Sequence, residues 1–350
     1  MKRLLNYLLI ILGVIVLLAI SFFGYFTIVD YQPNMREVVS QSNSPDTIKV
    51  GESYTLMTWN IGYAGLDKEM DFFYDGGTKV RPEEKQVKKN LEGIASYLRA
   101  NDSINFFLLQ EIDQDSKRSY NMNEIDYIAN TLPDHKHFFA YNYKVQFIPE
   151  PFTNPMGKVN AGLATYTAFS PALCERYTFP FNFSWPLKIF MLDRCFMTSR
   201  IKTNNGKELV VINTHNSAFD DNGSIRKAEL NYFRNFLLAE YNKGNYVIVG
   251  GDFNQSPVGL KTEFEGQPFD FNDFVSIPDT LLPIGWKYSF DNRIASNRRV
   301  VAAYKKGETK VTLIDFFITS PNIKMESIEC KDLGFEFSDH NPVIGKFRIE

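Results

Sequence analysis

The stretch Tyr246-Val247-Ile248-Val249-Gly250-Gly251-Asp252-Phe253-Asn254 decides the fold. Its apolar, β-branched start reads as a buried strand, and the paired glycines read as the tight turn that closes it. Asp252 and Asn254 stand two apart, so in extended geometry their side chains point the same way. A carboxylate and a carboxamide are then presented together at a strand end, where glycine lets another group approach closely. Such oxygens are hard ligands suited to a magnesium-like ion and its bound water. An Asx-rich turn after a core strand would use the same residues, so the rest of the chain decides between the two.

Working outward, the construction recurs. The run Tyr54-Thr55-Leu56-Met57-Thr58-Trp59 delivers Asn60, and Phe106-Phe107-Leu108-Leu109 delivers Gln110 and Glu111. Leu209-Val210-Val211-Ile212 delivers Asn213, Thr214 and His215, and Val311-Thr312-Leu313-Ile314 delivers Asp315. Ser338-Asp339-His340 stands at the mouth of a terminal strand over 343–349. Between these strands, Val87, Leu91, Ile94, Ala95 and Leu98 recur at helical spacing within 83–99. Further helices are expected over 123–132 and over 225–241, the latter closed by Gly244. Short strands are expected through the 130s and 160s, a proline-bearing loop over 147–162, and a hairpin-type turn at 204–207. The order of elements is that of an α/β protein, and strand ends of one sheet lie together, the usual place for chemistry in such folds.

The ordered motifs are TWN ending at Asn60, QE at 110–111, NTH at 213–215, GDFN at 251–254, IDFF at 314–317 and SDH at 338–340. The set resembles the endonuclease/exonuclease/phosphatase superfamily of metal-dependent phosphoesterases, which includes pancreatic-type deoxyribonuclease, abasic-site endonuclease, neutral sphingomyelinase and inositol-polyphosphate 5-phosphatases. Any one motif is weak; six in the family's order, spanning about residues 54–350, are specific. The stretches DGG at 75–77, RS at 118–119 and LDRCF at 192–196 also look like a bacterial subgroup.

The resemblance implies a four-layer α/β sandwich with two central, mostly antiparallel mixed sheets. It implies Mg²⁺, with Mn²⁺ as a substitute, held by Glu111 as principal ligand with Asn60 and Asp339 beside it. Asp252, oriented by Asn254, would position or deprotonate the attacking water. Asp315 would hold His340 in one tautomer, so that the imidazole can bond a phosphate oxygen or exchange a proton. His215 matches the position of a phosphate-binding or general-acid histidine in deoxyribonucleases and sphingomyelinases, which favours a diester. The division of base and acid among Asp252, His215 and His340 stays open. His135 and His137 read as structural or exposed. Arg118, Arg194, Arg298 and Arg299 are candidates for substrate phosphate, because a guanidinium fork suits it. Arg194 could equally pair with Asp193.

At its N-terminus the chain carries Met1-Lys2-Arg3 and then an uncharged apolar run from Leu4 to Val29. Such a run can cross the roughly 30 Å apolar core of a bilayer as one helix. Its end, Ser21-Phe22-Phe23-Gly24-Tyr25-Phe26, has aromatics where a cleaved signal would have small residues. Residues 1–30 therefore read as an uncleaved anchor rather than a removed signal, which would give a secreted protein. Lys2 and Arg3 keep that end cytoplasmic and the rest outside. Residues 31–52 read as a polar tether, and 53–350 as the catalytic domain.

With 350 residues and 44% hydrophobic content the chain has ample core. A formal net charge of −3 and a pI near 5.9 speak against a dedicated nucleic-acid binder, though not against a local basic cleft. Cys174, Cys195 and Cys330 form neither a disulfide framework nor a CxxC pair. The expected partners are a phosphodiester, in nucleic acid or in a phospholipid head group, and the membrane. No protein partner is implied. The aromatic segment 179–190, with Phe179, Phe181, Phe183, Trp185 and Phe190, either packs internally or lies at a lipid interface. Two alternatives differ in prediction. A phosphomonoesterase of the inositol-phosphate type would want a denser basic cluster, and an inactive binding module would have lost some of the catalytic positions.

Overall fold

The computed structural model describes residues 2–180, 183–218, 223–261, 264, 266–271 and 275–350. Two large sheets lie face to face. The first contains β1 (Arg36–Gln41), β2 (Thr47–Ile48), β7 (Leu173–Thr178), β8 (Cys195–Thr203), β9 (Glu208–His215), β10 (Tyr246–Asp252), β11 (Lys287–Ser289) and β14 (Asp315–Thr319). Its order is β1-β7-β8-β9-β10-β14-β11, with β2 alongside β8. The second contains β3 (Ser53–Asn60), β4 (Phe106–Asp113), β5 (Lys136–Ile148), β6 (Gly157–Thr167), β15 (Ile323–Cys330) and β16 (Val343–Ile349), in the order β15-β16-β3-β4-β6-β5. A small pair, β12 (Asn297–Arg298) and β13 (Val311–Thr312), stands apart. Only β3–β4, β9–β10 and β2–β8 pair in parallel among the main strands.

Alternation along the strands builds the layers, because successive side chains point to opposite faces. Leu56, Phe106 and Leu108 from one sheet meet Leu209, Val211, Ile248 and Phe317 from the other. The intervening residues Met57, Trp59, Phe107 and Leu109 face outward onto α2 (Glu84–Ala100) and α3 (Glu124–Thr131). Val210, Ile212, Val247 and Val249 likewise face α4 (Ser224–Asn242) through Leu230, Phe233 and Leu237. The result is the four-layer α/β sandwich with two mixed sheets. Because both faces of each central strand are covered, its sequence is a continuous apolar run.

Four expectations change. The paired glycines do not turn the chain: Gly250 and Gly251 lie inside β10. A Cβ at Gly250 would stand 2.7 Å from the Phe317 ring, and one at Gly251 would stand 2.1 Å from the Thr214 carbonyl oxygen. Close packing between and within the sheets, not a bend, requires them. Residues 147–162 are not all loop, since β5 and β6 run on to Ile148 and from Gly157, leaving 149–156 between them. Asp315 opens β14 instead of closing a strand over 311–314; antiparallel pairing sets it opposite Asp252 all the same. The supposed tether 31–52 contributes β1 and β2, with β1 pairing along β7. Its polar composition fits an edge strand as well as a solvated linker, which is why composition misled.

Before the sandwich comes α1 (Lys2–Ile28), a 27-residue helix long and apolar enough to cross a membrane, none of it buried. The three cysteines are free and buried. Phe181 of the aromatic segment lies outside the described residues.

Phe317 is fully buried, and its ring closes over both Gly250 and Gly345. Phe317→Ala is expected to cost about 3–5 kcal/mol, the usual range for an aromatic removed from a core. Urea unfolding followed by near-ultraviolet circular dichroism measures it, and an unchanged midpoint would contradict the inter-sheet packing.

Candidate active site

The parity that builds the inter-sheet core also builds the site. Asn60 shares the face of Leu56, Gln110 that of Leu108, His215 that of Val211, and Asp252 that of Ile248. At this end of the sandwich the facing side chains change from apolar to polar. Gln110 Nε2 donates to Asn213 Oδ1 at 2.7 Å across the gap, and Asn213 Nδ2 donates to the carbonyls of Leu109 (3.1 Å) and Ala164 (3.0 Å). Both carboxamides are buried, and these bonds satisfy them between the core and the site.

Glu111 breaks the parity. The β4–β6 register shifts between Leu109 and Ile112, and Glu111 takes the left-handed φ of 52°. A non-glycine residue at such a φ within a bulge is re-aimed at some conformational cost. Here the bulge swings the carboxylate to the site, where Asn60 Nδ2 donates to Glu111 Oε1 at 3.2 Å and to Asp252 Oδ2 at 3.0 Å. Asp252 Oδ2 is also 3.5 Å from His215 Nε2 and 3.7 Å from His340 Nε2. One carboxylate oxygen thus faces an amide and two imidazoles.

His340 Nδ1 lies 2.7 Å from Asp315 Oδ2, which fixes the proton on Nδ1 and turns Nε2 to the site. Ser296 Oγ donates to the same Asp315 oxygen at 2.7 Å, and Asn297 Nδ2 lies 3.0 Å from His340 Nε2. Burial pulls the His340 pKa down, but Asp315, Asp339 and Asp252 outweigh it and raise it to about 10. Asn297 is held in turn by Thr312, whose Oγ1 donates to Asn297 Oδ1 at 3.0 Å. His215 goes the other way. Burial, then Arg194 and His340, hold it well below the usual histidine range, so its ring is neutral. Asp252 is raised by burial and by Asp315.

The Asp339 side carries what a cation would need. Burial, with Glu111 nearby, raises the Asp339 carboxyl to about 7 in spite of His340. The Tyr63 hydroxyl is buried without a hydrogen-bond partner, in the field of Glu111 and Asp339. A Cβ at Gly62, whose φ is 51°, would come within 3.0 Å of Asp339 Oδ1. Crowded carboxylates, a carboxamide oxygen and an unsatisfied hydroxyl fit an oxygen-ligated divalent ion. Asp252, Asp315 and His340 also bring ligand atoms within 4.8 Å of one another. There, however, Asp315 Oδ2 is already taken by His340 and Ser296.

The remaining expectations divide. Asn254 does not point with Asp252. It lies past the strand end with φ 49°, donates its backbone N–H to Asp252 Oδ1 at 2.8 Å, and sends its carboxamide to the Asn216 carbonyl at 2.8 Å. It orients Asp252 through the main chain. Arg118 is buried behind the site, paired with Asp113 and 3.7 Å from the centre of the Tyr63 ring. Arg298 is buried and donates to main-chain carbonyls, including those of Asp67 and Ala302. Arg298 Nε alone among their guanidinium nitrogens is buried without a hydrogen-bond partner. Arg299 pairs with Asp270 at 3.4 Å and lines a surface cleft with Asp75, Lys305 and Lys310. Arg194 is buried, lies in the field of Glu111, Glu229 and Asp252, and its Nη1 has no hydrogen-bond partner among the described residues. His135 is buried with Nε2 2.8 Å from the Ile104 carbonyl, and His137 is exposed.

Tyr63, Ser296 and Asn297 escaped the sequence reading. Tyr63 sits in a single 3-10 turn over Gly62–Ala64, Ser296 precedes the two-residue strand β12 and Asn297 opens it, so no periodicity marks them.

Residues 57–340 match the profile of the Endonuclease/Exonuclease/phosphatase family. No curated protein matches. Among solved structures, an endonuclease/exonuclease/phosphatase from Beutenbergia cavernae is 16% identical with a TM-score of 0.52, covering 85% of this chain and 72% of that one. TDP2 of D. rerio complexed with a single-strand DNA product is 13% identical with a TM-score of 0.53, covering 85% and 99%. ANGEL2, described as a 2',3'-cyclic phosphatase in complex with adenosine-2',3'-vanadate, is 15% identical with a TM-score of 0.56, covering 91% and 99%.

The raised His340 value has a defined pH signature in metal-free protein. A group whose folded pKa lies above its unfolded value stabilises most below the latter, about 6.5 for histidine. That stability is lost as pH rises through the folded value of about 10. Asp315→Asn removes the largest raising influence. The stability gap between parent and variant should therefore be widest below about pH 6.5 and narrow steadily toward pH 10. Urea midpoints across that window in EDTA measure it; a gap constant with pH would contradict the pair.

Proposed function

Because the chain belongs to the endonuclease/exonuclease/phosphatase family, we propose that it is a membrane-anchored, extracytoplasmic, Mg²⁺-dependent phosphodiesterase, with Mn²⁺ as a substitute ion. The observation that carries the reading is the surround of Asp252 Oδ2: an Asn60 amide at 3.0 Å and two imidazole nitrogens at 3.5 and 3.7 Å, beside Glu111. Residues 1–30 would be the anchor, and the catalytic domain would already include the strand at Arg36–Gln41.

Glu111, Asp339 and Asn60 would hold the cation. When bound, it would polarise a phosphoryl oxygen and offset charge developing there. Asp252 would accept the proton of the attacking water, its carboxylate held by Asn60 and by the Asn254 main chain. His340, charged through Asp315, would donate from Nε2 to a phosphoryl or leaving-group oxygen. His215 would work as a neutral ring at Nε2, beside Asp252. The Arg194 guanidinium would bind a phosphate oxygen in a dry environment, where such a contact is strong. Two groups driven in opposite directions, His215 neutral and His340 charged, are the arrangement expected of an acid–base pair.

Carried over from the similar structures, a DNA product on TDP2 and a nucleotide vanadate on ANGEL2 favour a nucleotide phosphoester. The apolar α1 helix favours a substrate at a membrane. Full-length protein in detergent, with Mg²⁺ or EDTA, should be assayed on a chromogenic phosphodiester, plasmid DNA, RNA, sphingomyelin and inositol phosphates. Asp252→Ala and His340→Ala are each expected to lower kcat/KM by about 10²–10⁴-fold on the diester cleaved. Glu111→Gln should raise the Mg²⁺ requirement by at least about 10-fold. Variants as active as the parent would sink the assignment, and a chain that binds the ion yet cleaves nothing would instead be a binding module.

A further inference from the structure

The anchor helix does not hang free of the sandwich. Its last turns dock on two segments: Phe26 stacks on Phe147 at the tip of β5, with ring centroids 6.1 Å apart, and meets Phe190 at 6.0 Å. Phe23 lies 6.0 Å from Trp185, whose indole Nε1 donates to Thr27 Oγ1 at 3.0 Å. Tyr143 Oη donates to the Phe190 carbonyl at 3.1 Å and ties the two segments together.

Strand register locates this collar relative to the site. Tyr141 pairs with Gly162, which pairs with Ile112, the neighbour of Glu111. Phe147 is six residues further on, so the β5–β6 hairpin projects roughly 15–20 Å past the level of Glu111. The segment holding Trp185 and Phe190 leads into Arg194, and Phe196 pairs with Thr214, the neighbour of His215. Collar and catalytic residues are therefore at the same end of the sandwich.

Helix geometry sets the depth. An apolar bilayer core of about 30 Å takes about 20 helical residues. Counted from Leu4, after the charges of Lys2 and Arg3, that length ends near Phe23. Phe22, Phe23, Tyr25 and Phe26 then fall at the outer interface, the level that aromatic side chains favour. Trp185, in ring contact with Phe23, shares that level. Two further apolar residues of the rim, Leu187 and Phe152, are 50% and 94% exposed, and Trp185 is itself 57% exposed.

We propose that the rim formed by the 149–156 loop and the 185–190 segment is a bilayer-contact surface, continuous with the anchor, that holds the catalytic end of the sandwich against lipid head groups. The occupant is the head-group region of the bilayer that α1 spans, so this rests on the anchored reading above. Substrate phosphoesters carried on that surface meet the site without leaving it.

The chain has three tryptophans, two of them, Trp59 and Trp286, buried in the sandwich, and α1 has none. Full-length protein reconstituted in vesicles of phosphatidylcholine brominated near the head-group end of its chains gives a direct readout. A quenchable component of the fluorescence is expected, lost in Trp185→Phe and restored when Phe152→Trp is added to that variant. Resistance of the protein to carbonate extraction reports the anchor separately. Inserted protein whose quenching is the same with and without Trp185, and with Trp at 152, would overturn the surface. Protein extracted by carbonate would overturn the anchored reading and the surface with it. Catalysis on a soluble phosphodiester is independent of both, because neither substituted residue belongs to the site.

Discussion

A single buried hydrogen bond between two carboxamides, Gln110 Nε2 to Asn213 Oδ1 at 2.7 Å, sets the border on which the molecule depends. On one side of it the sheets face each other through Leu108, Val211, Ile248 and Phe317; on the other they face through Asn60, Asp252 and His215. Strand side chains alternate with a period of two, so a one-residue slip of either strand would exchange core and helix-facing residues and turn the side chains of the candidate site away. Two amides that must satisfy each other in a dry gap resist that slip, since leaving either unpaired costs about 1–3 kcal/mol. Register and site geometry are one constraint.

Beyond that border the site is a problem in electrostatics. Glu111, Asp252, Asp315 and Asp339 gather where there is little water. Burial first, and their mutual repulsion after it, raise Asp252 and Asp339, while the field of the acids drives His340 toward its charged form. His215 Nε2 is 3.5 Å from Asp252 Oδ2, yet burial first, then the charges of Arg194 and His340, drive its ring neutral. Chemically identical rings thus take different charge states from their surroundings.

Much of this was legible in the sequence because the strands are buried on both faces. A continuous apolar run ending in Asn, His or Asp is conspicuous, and Asn60, His215, Asp252 and His340 came together as their positions suggested. What escaped depends on local departures from regularity. The bulge that re-aims Glu111 leaves no mark in the letters QE. Ser296 and Asn297, which support Asp315 and His340, come from the start of a strand only two residues long, too short for any pattern. Arg118 and Arg194 look alike in sequence; only packing reveals that Asp113 occupies one while the other keeps an unpaired nitrogen. The edge strand at 36–41 was hidden by its polar composition, which an edge tolerates and a central strand does not.

That edge strand has a kinetic consequence. Between the end of α1 at Ile28 and the first residue of β1 at Arg36 there is only a short connection, and from β1 onward the chain is hydrogen-bonded to β7. A domain joined to α1 this closely cannot sweep a volume around that helix. Where α1 crosses a bilayer, encounter becomes a two-dimensional search. Turnover would then follow the mole fraction of substrate among the surrounding lipids, and diluting the substrate with inert lipid would slow the protein even at constant bulk concentration.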